Sequence, residues 1–246
     1  MNSAPNTNHN IFAIIPAGGI GKRMNQRRPK QFLTIFDQPI LLVTLKILAQ
    51  TGLIKKFIIP TVDVITTKKI IASKLSDVDI EIIKGGKTRQ DSVHNGLDYI
   101  KKLDDQPDLV LVHDAVRVLV SQEIVINTIE KAFKTGAAIA ANKVYDTLKL
   151  SHSEVGEDIT IKKNISRENT WQAQTPQVFK KELIIEAYQK AKKDHFEGTD
   201  SASLVERLNV PVSLVESPKS NYKITTPEDL EIAELILSKR LPSSKS

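Results

Sequence analysis

The stretch IFAIIPAGGIGKRMNQRRPKQFL, residues Ile11–Leu33, joins an apolar, β-branched run to a loop rich in glycine and basic residues. The run Ile11–Ile15 predicts a buried strand. Glycines then allow a tight turn that brings bare backbone N–H groups close to a ligand. These glycines are Gly18, Gly19 and Gly21. At the carboxyl end of a parallel strand, such a loop lies where α/β folds bind their ligands.

This loop matches neither of two common phosphate-binding motifs. A Walker A loop would have glycine at Pro16 and serine or threonine at Arg23. The dinucleotide fingerprint would have its third glycine at Met24. Arg23 and Lys30 nevertheless add two cations, which suits a polyphosphate whose charge shifts during phosphoryl transfer. The alternative interpretation is a glycine turn followed by a solvated basic surface.

Apolar, β-branched runs recur along the chain, and helix-like stretches separate most of them. The further predicted strands are Phe57–Pro60, Ile80–Ile83, Leu109–Val112, Ala137–Ala141 and Val212–Val215. The predicted helices are Pro39–Gln50, Ser92–Lys102, Ser121–Thr135, Lys180–Lys193 and a last helix that begins at Thr226-Pro227-Glu228-Asp229. This alternation predicts an α/β fold with a Rossmann-like, mostly parallel sheet flanked by helices.

Residues 144–169 interrupt the alternation, because they are polar and charged and contain only short apolar pairs. They are interpreted as two short strands around a turn, forming an arm that protrudes from the sheet. A flexible surface insertion is the alternative. The chain, 1–246, is expected to form a single domain with disordered tails at 1–9 and 241–246.

Composition narrows the class of protein. A net charge of +6 and a pI of about 9.3 favour an acidic partner, such as a phosphate-bearing small molecule or nucleic acid. Aromatic residues make up only 5% of the chain, which disfavours a nucleic-acid stacking platform. The absence of cysteine excludes disulfides, thiolate catalysis and cysteine-ligated zinc. Without a signal-peptide pattern or an apolar run of membrane-spanning length, we expect a cytoplasmic protein that binds no membrane.

Seven segments, taken in order, resemble one group of nucleotidyltransferases. The first is the glycine loop with its Pro29-Lys30-Gln31 extension, and the others are Gly85–Val93, Val112–Arg117, Asp146–Lys149, Gln174–Gln177, Thr199–Glu206 and Asn221–Thr225. Together they closely resemble the 2-C-methyl-D-erythritol 4-phosphate cytidylyltransferase family, and the likeness runs from about Ile11 to Leu237. The resemblance implies CTP and a polyol phosphate as substrates and a requirement for Mg²⁺. It also implies that the protein does not bind nucleic acid.

The resemblance also implies roles for individual residues. The positions that would contact CTP are Ala17, Gly18, Gly19, Gly21, Gly86, Ser92, Asp114, Ala115 and Arg117. The catalytic positions would be Arg23, Lys30, Arg167 and Lys223, and those that handle the second substrate Thr147, Arg167, Thr175, Thr199 and Lys223. Asp114 is also expected to help hold Mg²⁺ together with the CTP phosphates. No protein nucleophile is required, because the substrate phosphate itself attacks CTP.

The chain departs from the family pattern at three positions: Gly18, Lys87 and Val118 stand where alanine, an acidic residue and proline are usual. The resemblance further implies a homodimer, in which the 144–169 arm crosses to the second subunit and places Thr147 and Arg167 in that subunit's site.

Two other functions stay open at this point. Ribitol 5-phosphate cytidylyltransferases share the glycine loop and Gln174–Gln177, but Asp146–Lys149 and Thr199–Ser203 favour the methylerythritol family. A catalytically inactive nucleotide- or RNA-binding relative is the second alternative. Retention of the four predicted catalytic residues argues against it.

Overall fold

The structure is a computed structural model that describes residues 9–18, 30–71, 74–75, 77–152 and 159–240. Three predicted site residues, Gly19, Gly21 and Arg23, lie outside the described residues, and of Lys30 only the backbone is described. Most of the two predicted tails also lies outside these ranges, so their predicted disorder stays a prediction.

Within these ranges the strands are β1 (Ile11–Ile14), β2 (Thr34–Ile35), β3 (Gln38–Pro39), β4 (Lys56–Thr61), β5 (Asp79–Lys84), β6 (Leu109–Val112), β7 (Ala137–Lys143), β8 (Leu148–Ser151), β9 (Ile161–Ile165), β10 (Trp171–Lys180) and β11 (Ser213–Glu216). A seven-stranded sheet has the order β11-β7-β10-β6-β1-β4-β5. Every neighbouring pair in it is parallel except the two pairs that contain β10. The predicted mostly parallel sheet is therefore confirmed.

The helices are α1 (Ile40–Ala49), α2 (Val64–Ile71), α3 (Arg89–Ile100), α4 (Gln122–Thr135), α5 (Lys181–Lys193), α6 (Ser201–Glu206) and α7 (Pro227–Arg240). The predicted start of α7 is confirmed, because the Thr226 backbone N–H donates to the Asp229 carboxylate at 2.9 Å and the Asp229 N–H donates back to the Thr226 hydroxyl at 3.3 Å. Helix α4 begins after a Ser121 cap and is terminated by Gly136, which follows its last residue and whose φ of 89° suits glycine.

The sheet is buried on both faces, which explains its nearly continuous apolar strands. Successive residues of β1 point to opposite sides. Ala13 packs in the cluster formed with α1 and α4, whereas Phe12 and Ile14 pack in the cluster formed with α3, α5 and α6. Two helical layers therefore cover the sheet, and the carboxyl ends of its parallel strands remain available for a site.

Several predicted element boundaries were wrong. Strand β10 was not predicted, because Pro176 cannot donate a ladder hydrogen bond and makes its surroundings resemble a turn. In the structure the pairing of β10 with β7 is interrupted between Ala173 and Gln177, which accommodates the proline. Helices α2 and α6 were also missed. Helix α3 begins earlier than predicted, because Thr88 and Asp91 form a capping box at its start.

The predicted arm is present as an antiparallel pair of short strands, β8 and β9, with Leu148 opposite Ile165. Its tip, residues 153–158, lies outside the described residues. None of the helices in the described part of the chain is long and apolar enough to cross a membrane.

Candidate active site

The carboxyl ends of β1 and β6 and the N-terminus of α3 border a pocket of about 190 Å³. Five of the residues predicted to contact CTP line it: Ala17, Gly18, Ser92, Asp114 and Ala115. Lys223, predicted to be catalytic, also lines it. The fold therefore brings together residues from four distant parts of the sequence.

The start of the glycine loop is held by hydrogen bonds to its backbone. The Ala17 N–H donates to the Pro60 carbonyl at 2.8 Å, and the Ala17 carbonyl accepts from Gln31 Nε2 at 2.7 Å. Gln31 is buried, and it follows Lys30 directly. Its side chain thus ties the segment after the loop to the start of the loop. The sequence analysis gave Gln31 no role, although the Pro-Lys-Gln motif already contained it.

The Gly86 turn is shaped by Ser92. The Ser92 hydroxyl accepts from the Gly86 N–H at 3.1 Å and donates to the Thr88 carbonyl at 2.9 Å. A Cβ atom at Gly86 would lie 2.1 Å from Asp91 Cβ, so no other residue fits there without a shift of the backbone. These contacts bring Gly86, predicted to border the cytosine, next to Ser92 at the pocket wall.

Asp114 is the centre of an ionic cluster at the bottom of the pocket. Its carboxylate lies 2.9 Å from Arg89 Nε, 3.1 Å from Lys223 Nζ and 3.8 Å from Arg117 Nε. Burial alone would raise the pKa of Asp114, but the three cations outweigh burial and hold the pKa well below its usual range. The cluster has three positive charges and one negative charge, so it retains a positive surplus for an anionic ligand.

Arg89 is a site residue that the sequence analysis missed. It lies inside the Gly85–Val93 segment that carried part of the resemblance, but its ion pair spans 25 positions to Asp114. Residues near Arg89 in the sequence do not indicate that it belongs to a site. Its position inside the Gly85–Val93 segment was the feature from which it could have been predicted.

Arg117 lines a second cavity of about 440 Å³, which shares Lys223 with the first pocket. Arg117 is buried and donates from Nη1 to the Asn221 carbonyl at 2.6 Å. Burial lowers the pKa of Arg117, and Asp114 acts in the opposite direction. Lys223 lines both cavities, so its ammonium group can reach ligands on either side.

The remaining predicted residues lie in three different settings. Thr175 is buried, and its hydroxyl hydrogen bonds with His113 and with the Asp114 backbone. Thr199 directly precedes Asp200, whose carboxylate accepts from Gln177 at 2.7 Å.

Two predicted residues belong to the arm. Thr147 is exposed, and Arg167 donates to the Tyr145 carbonyl at 2.8 Å. Neither residue lines the pocket of its own chain. Since the sequence analysis placed these two residues in the second subunit's site, that placement stays a prediction.

The described residues do not fit a protein-made magnesium site. Among them there is no group of three or more histidine, aspartate or glutamate side chains that could hold a metal ion. Among the described residues that line the pocket, only Asp114 carries a carboxylate, and cations from three residues already engage it. This geometry leaves the predicted role of Asp114 as a magnesium ligand without support.

Comparison with known proteins gives one consistent result. The family model for 2-C-methyl-D-erythritol 4-phosphate cytidylyltransferase matches residues 11–239. The enzyme of that name from Syntrophus aciditrophicus is 42% identical over 232 residues, which cover 93% of this chain and 96% of the relative. The one from Caldanaerobacter subterraneus is 39% identical over 233 residues, covering 94% of this chain and all of the relative.

Solved structures agree with the sequence relatives. The 4-diphosphocytidyl-2C-methyl-D-erythritol synthase of Anaerococcus prevotii superposes with a TM-score of 0.77 at 33% identity, covering 94% of this chain and 96% of that one. The 2-C-methyl-D-erythritol 4-phosphate cytidylyltransferase of Thermus thermophilus superposes with a TM-score of 0.74 at 30% identity, covering 93% and 99%. The chain therefore belongs to the 2-C-methyl-D-erythritol 4-phosphate cytidylyltransferase family.

Proposed function

We propose that this chain joins CTP to 2-C-methyl-D-erythritol 4-phosphate, giving 4-diphosphocytidyl-2-C-methyl-D-erythritol and pyrophosphate, in the pocket described above. The observation that carries the proposal is the position of the cationic cluster around Asp114, beside the backbone of Ala17 and Gly18. A surplus of positive charge at the carboxyl ends of parallel strands suits a triphosphate. Membership of the family supports the same reaction.

In the proposed reaction an oxygen of the polyol phosphate attacks the α-phosphorus of CTP. A new P–O bond forms, the bond from the α-phosphorus to the bridging oxygen breaks, and pyrophosphate leaves with the electron pair. The protein has to position the two substrates and to stabilise the charge that develops. We assign the second task to Arg23, Lys30 and Lys223. The Lys223 ammonium group is held 3.1 Å from the Asp114 carboxylate and lines both cavities.

We further propose that 1–246 is one catalytic domain that works as a homodimer. The 144–169 arm supports this, because its apolar side chains are exposed in the single chain. They include Tyr145 at 65%, Ile159 at 61% and Ile161 at 62% relative exposure. A twofold arrangement of two arms would bury these side chains and bring Arg167 to the partner's pocket.

The expected requirement for Mg²⁺ is part of the proposal, with the triphosphate and water rather than the protein as its ligands. Magnesium commonly keeps several waters and binds substrate phosphates in this way. The chain's own contribution is the cationic cluster around Asp114. The predicted cytoplasmic location stays a prediction.

The proposal is tested by measuring pyrophosphate release from CTP with each of two acceptors, 2-C-methyl-D-erythritol 4-phosphate and ribitol 5-phosphate. We expect turnover with the methylerythritol compound and little with ribitol 5-phosphate. The Lys30→Ala variant, purified in the same way, controls for contaminating enzymes. Preference for ribitol 5-phosphate would overturn the assignment of the substrate. A folded protein that turns over neither compound would overturn the assignment of an enzyme.

A further inference from the structure

A buried histidine, His113, lies next to the Asp114 cluster, and the proposed reaction assigns it no role. His113 directly follows β6 and precedes Asp114, and its side chain is fully buried. Its Nδ1 atom lies 3.0 Å from the Thr175 hydroxyl, and its Nε2 atom lies 3.2 Å from the Arg117 carbonyl. Both ring nitrogens therefore have a hydrogen-bond partner.

The chemistry of these partners determines where the protons are. A carbonyl oxygen can only accept, so the bond to Arg117 requires a proton on His113 Nε2. The Thr175 hydroxyl accepts from the Asp114 backbone N–H at 3.1 Å. Its own proton is then free to be donated to His113 Nδ1, which is unprotonated in a neutral imidazole that carries its proton on Nε2. Burial favours this neutral form, because it lowers the pKa of His113 to about 4.

The resulting chain of hydrogen bonds closes a turn. It begins at the Asp114 N–H, passes through Thr175 and His113, and ends at the Arg117 carbonyl. The Arg117 N–H in turn donates to the Asp114 carbonyl at 3.1 Å, which closes the turn along the backbone. The turn carries the carboxylate that holds Arg89 and Lys223, and the chain of bonds anchors it to β10.

We propose that His113 and Thr175 are positioning residues: as a neutral, hydrogen-bonded pair they fix the Asp114–Arg117 turn and thereby the position of Lys223 at the pocket. The inference rests on the proposed function, since it gives the pair a task in that reaction. It also gives Thr175 a different task from the one expected from the sequence, where Thr175 was to contact the second substrate. Its hydroxyl has no proton left to offer to a ligand.

A buried polar pair at this place requires an explanation, because all four residues of β6 are apolar. Burying a hydroxyl and an imidazole between β6 and β10 costs free energy that an apolar pair would not. Once every hydrogen bond is made, however, such a network holds a single geometry. A displacement of about 1 Å at a catalytic group can lower a rate by roughly 10²-fold. The network therefore contributes mainly to geometry.

The first experiment compares Thr175→Val, which keeps the shape but removes the hydroxyl, with Thr175→Ser, which keeps the hydroxyl. We expect Thr175→Val to lower kcat by roughly 10²-fold while the KM for CTP changes little, because the pair positions Lys223 rather than binding CTP. Thr175→Ser should restore most of kcat. The matched control is Thr128→Val, which removes an equally buried hydroxyl from α4 and should leave kcat unchanged.

The outcomes separate the two roles of Thr175. A direct contact with the polyol phosphate would instead raise the KM for that substrate and leave kcat nearly intact, and this result would overturn the inference. Wild-type kcat in a folded Thr175→Val enzyme would overturn it as well.

The second experiment uses ¹⁵N NMR of the wild-type protein at neutral pH to determine which ring nitrogen of His113 is protonated. His113 should show the tautomer that is protonated at Nε2, and the His113→Gln variant identifies its signals among those of the five histidines. A proton on Nδ1, or an imidazolium, would contradict the inference even if Thr175→Val did not fold. This reading needs no turnover. An inactive wild-type protein with the expected tautomer would thus count against the proposed function, and an active one with another tautomer against the positioning pair.

Discussion

The side chains at the bottom of the pocket and those of the 144–169 arm differ in how far their own chain buries them and provides their partners. At the pocket, Asp114 is buried and its carboxylate meets three cations of its own chain. On the arm, every residue of β9 is exposed, and the strand pairs only with β8 in the described part of the chain. One chain therefore supplies the contacts of the pocket by itself, whereas the proposed homodimer would supply the surface that covers the arm.

The largest effect is expected from Asp114→Asn, which keeps the shape of the side chain and removes its charge. Three cations would then lack their common partner, and Arg117 would stay buried. Breaking a buried ion pair typically costs about 3–5 kcal/mol of unfolding free energy. Urea denaturation measures the loss. As a control, Glu216→Gln breaks an exposed pair with Lys143 and should cost about 0–1 kcal/mol. Equal losses of unfolding free energy in the two variants would contradict the expectation that the buried Asp114 cluster contributes more to stability than an exposed ion pair.

The second prediction concerns Arg23 and Lys30, the cations predicted to meet the developing charge beside this cluster. Replacing either by alanine should lower kcat by roughly 10²–10³-fold, more than it weakens CTP binding, because the contact strengthens in the transition state. Steady-state kinetics with varied CTP separates the two effects. Arg27→Ala and Arg28→Ala serve as neighbouring controls with small expected effects. A near-normal kcat for Lys30→Ala would refute its role.

Acid should destabilise the pocket more than the arm. Burial lowers the pKa of His113 from its ordinary value of 6.5 to about 4. Between these values the unfolded chain binds a proton that the folded chain does not, so stability falls as the pH is lowered from about 6.5 to about 4. The linked loss is about 3 kcal/mol.

Urea denaturation at several pH values tests this prediction. In His113→Gln the loss linked to this residue should disappear. His152→Gln, which changes an exposed histidine of the arm, should behave like the wild type. The same pH dependence in wild type and His113→Gln would show that other groups cause the effect.

The smallest effect is a partial recovery of activity, and it tests whether Arg167 acts on the partner's site. Lys30→Ala and Arg167→Ala proteins, each inactive alone, are mixed in equal amounts. If the arm crosses, one of the two sites in a mixed dimer has an intact pocket and an intact arm. Random exchange makes half of the dimers mixed, so about a quarter of wild-type activity should return. If Arg167 serves its own chain, every site keeps a defect, and mixing restores nothing once subunit exchange has been verified.

Much of the architecture could be predicted, because the relevant patterns are local. The apolar run before the glycine loop, the alternation of strands and helices, and the Thr226–Asp229 cap each involve residues within a few positions of one another. Strand β10 could not be predicted in the same way, because its proline lies where the ladder is interrupted. The predicted pocket residues came from motif resemblance, and five of those predicted to contact CTP line one pocket.

The sequence alone established the α/β class, the position of the glycine loop after β1 and the family to which the segments correspond. Only the folded chain showed that Arg89 pairs with Asp114, that Gln31 holds Ala17, and that Thr175 lies against His113. The physical reason is the separation in sequence over which each kind of interaction acts. Propensity, periodicity and capping act between neighbours in sequence, whereas these contacts join residues 14 to 62 positions apart. They exist only because the fold places these distant segments side by side at the carboxyl ends of the parallel strands.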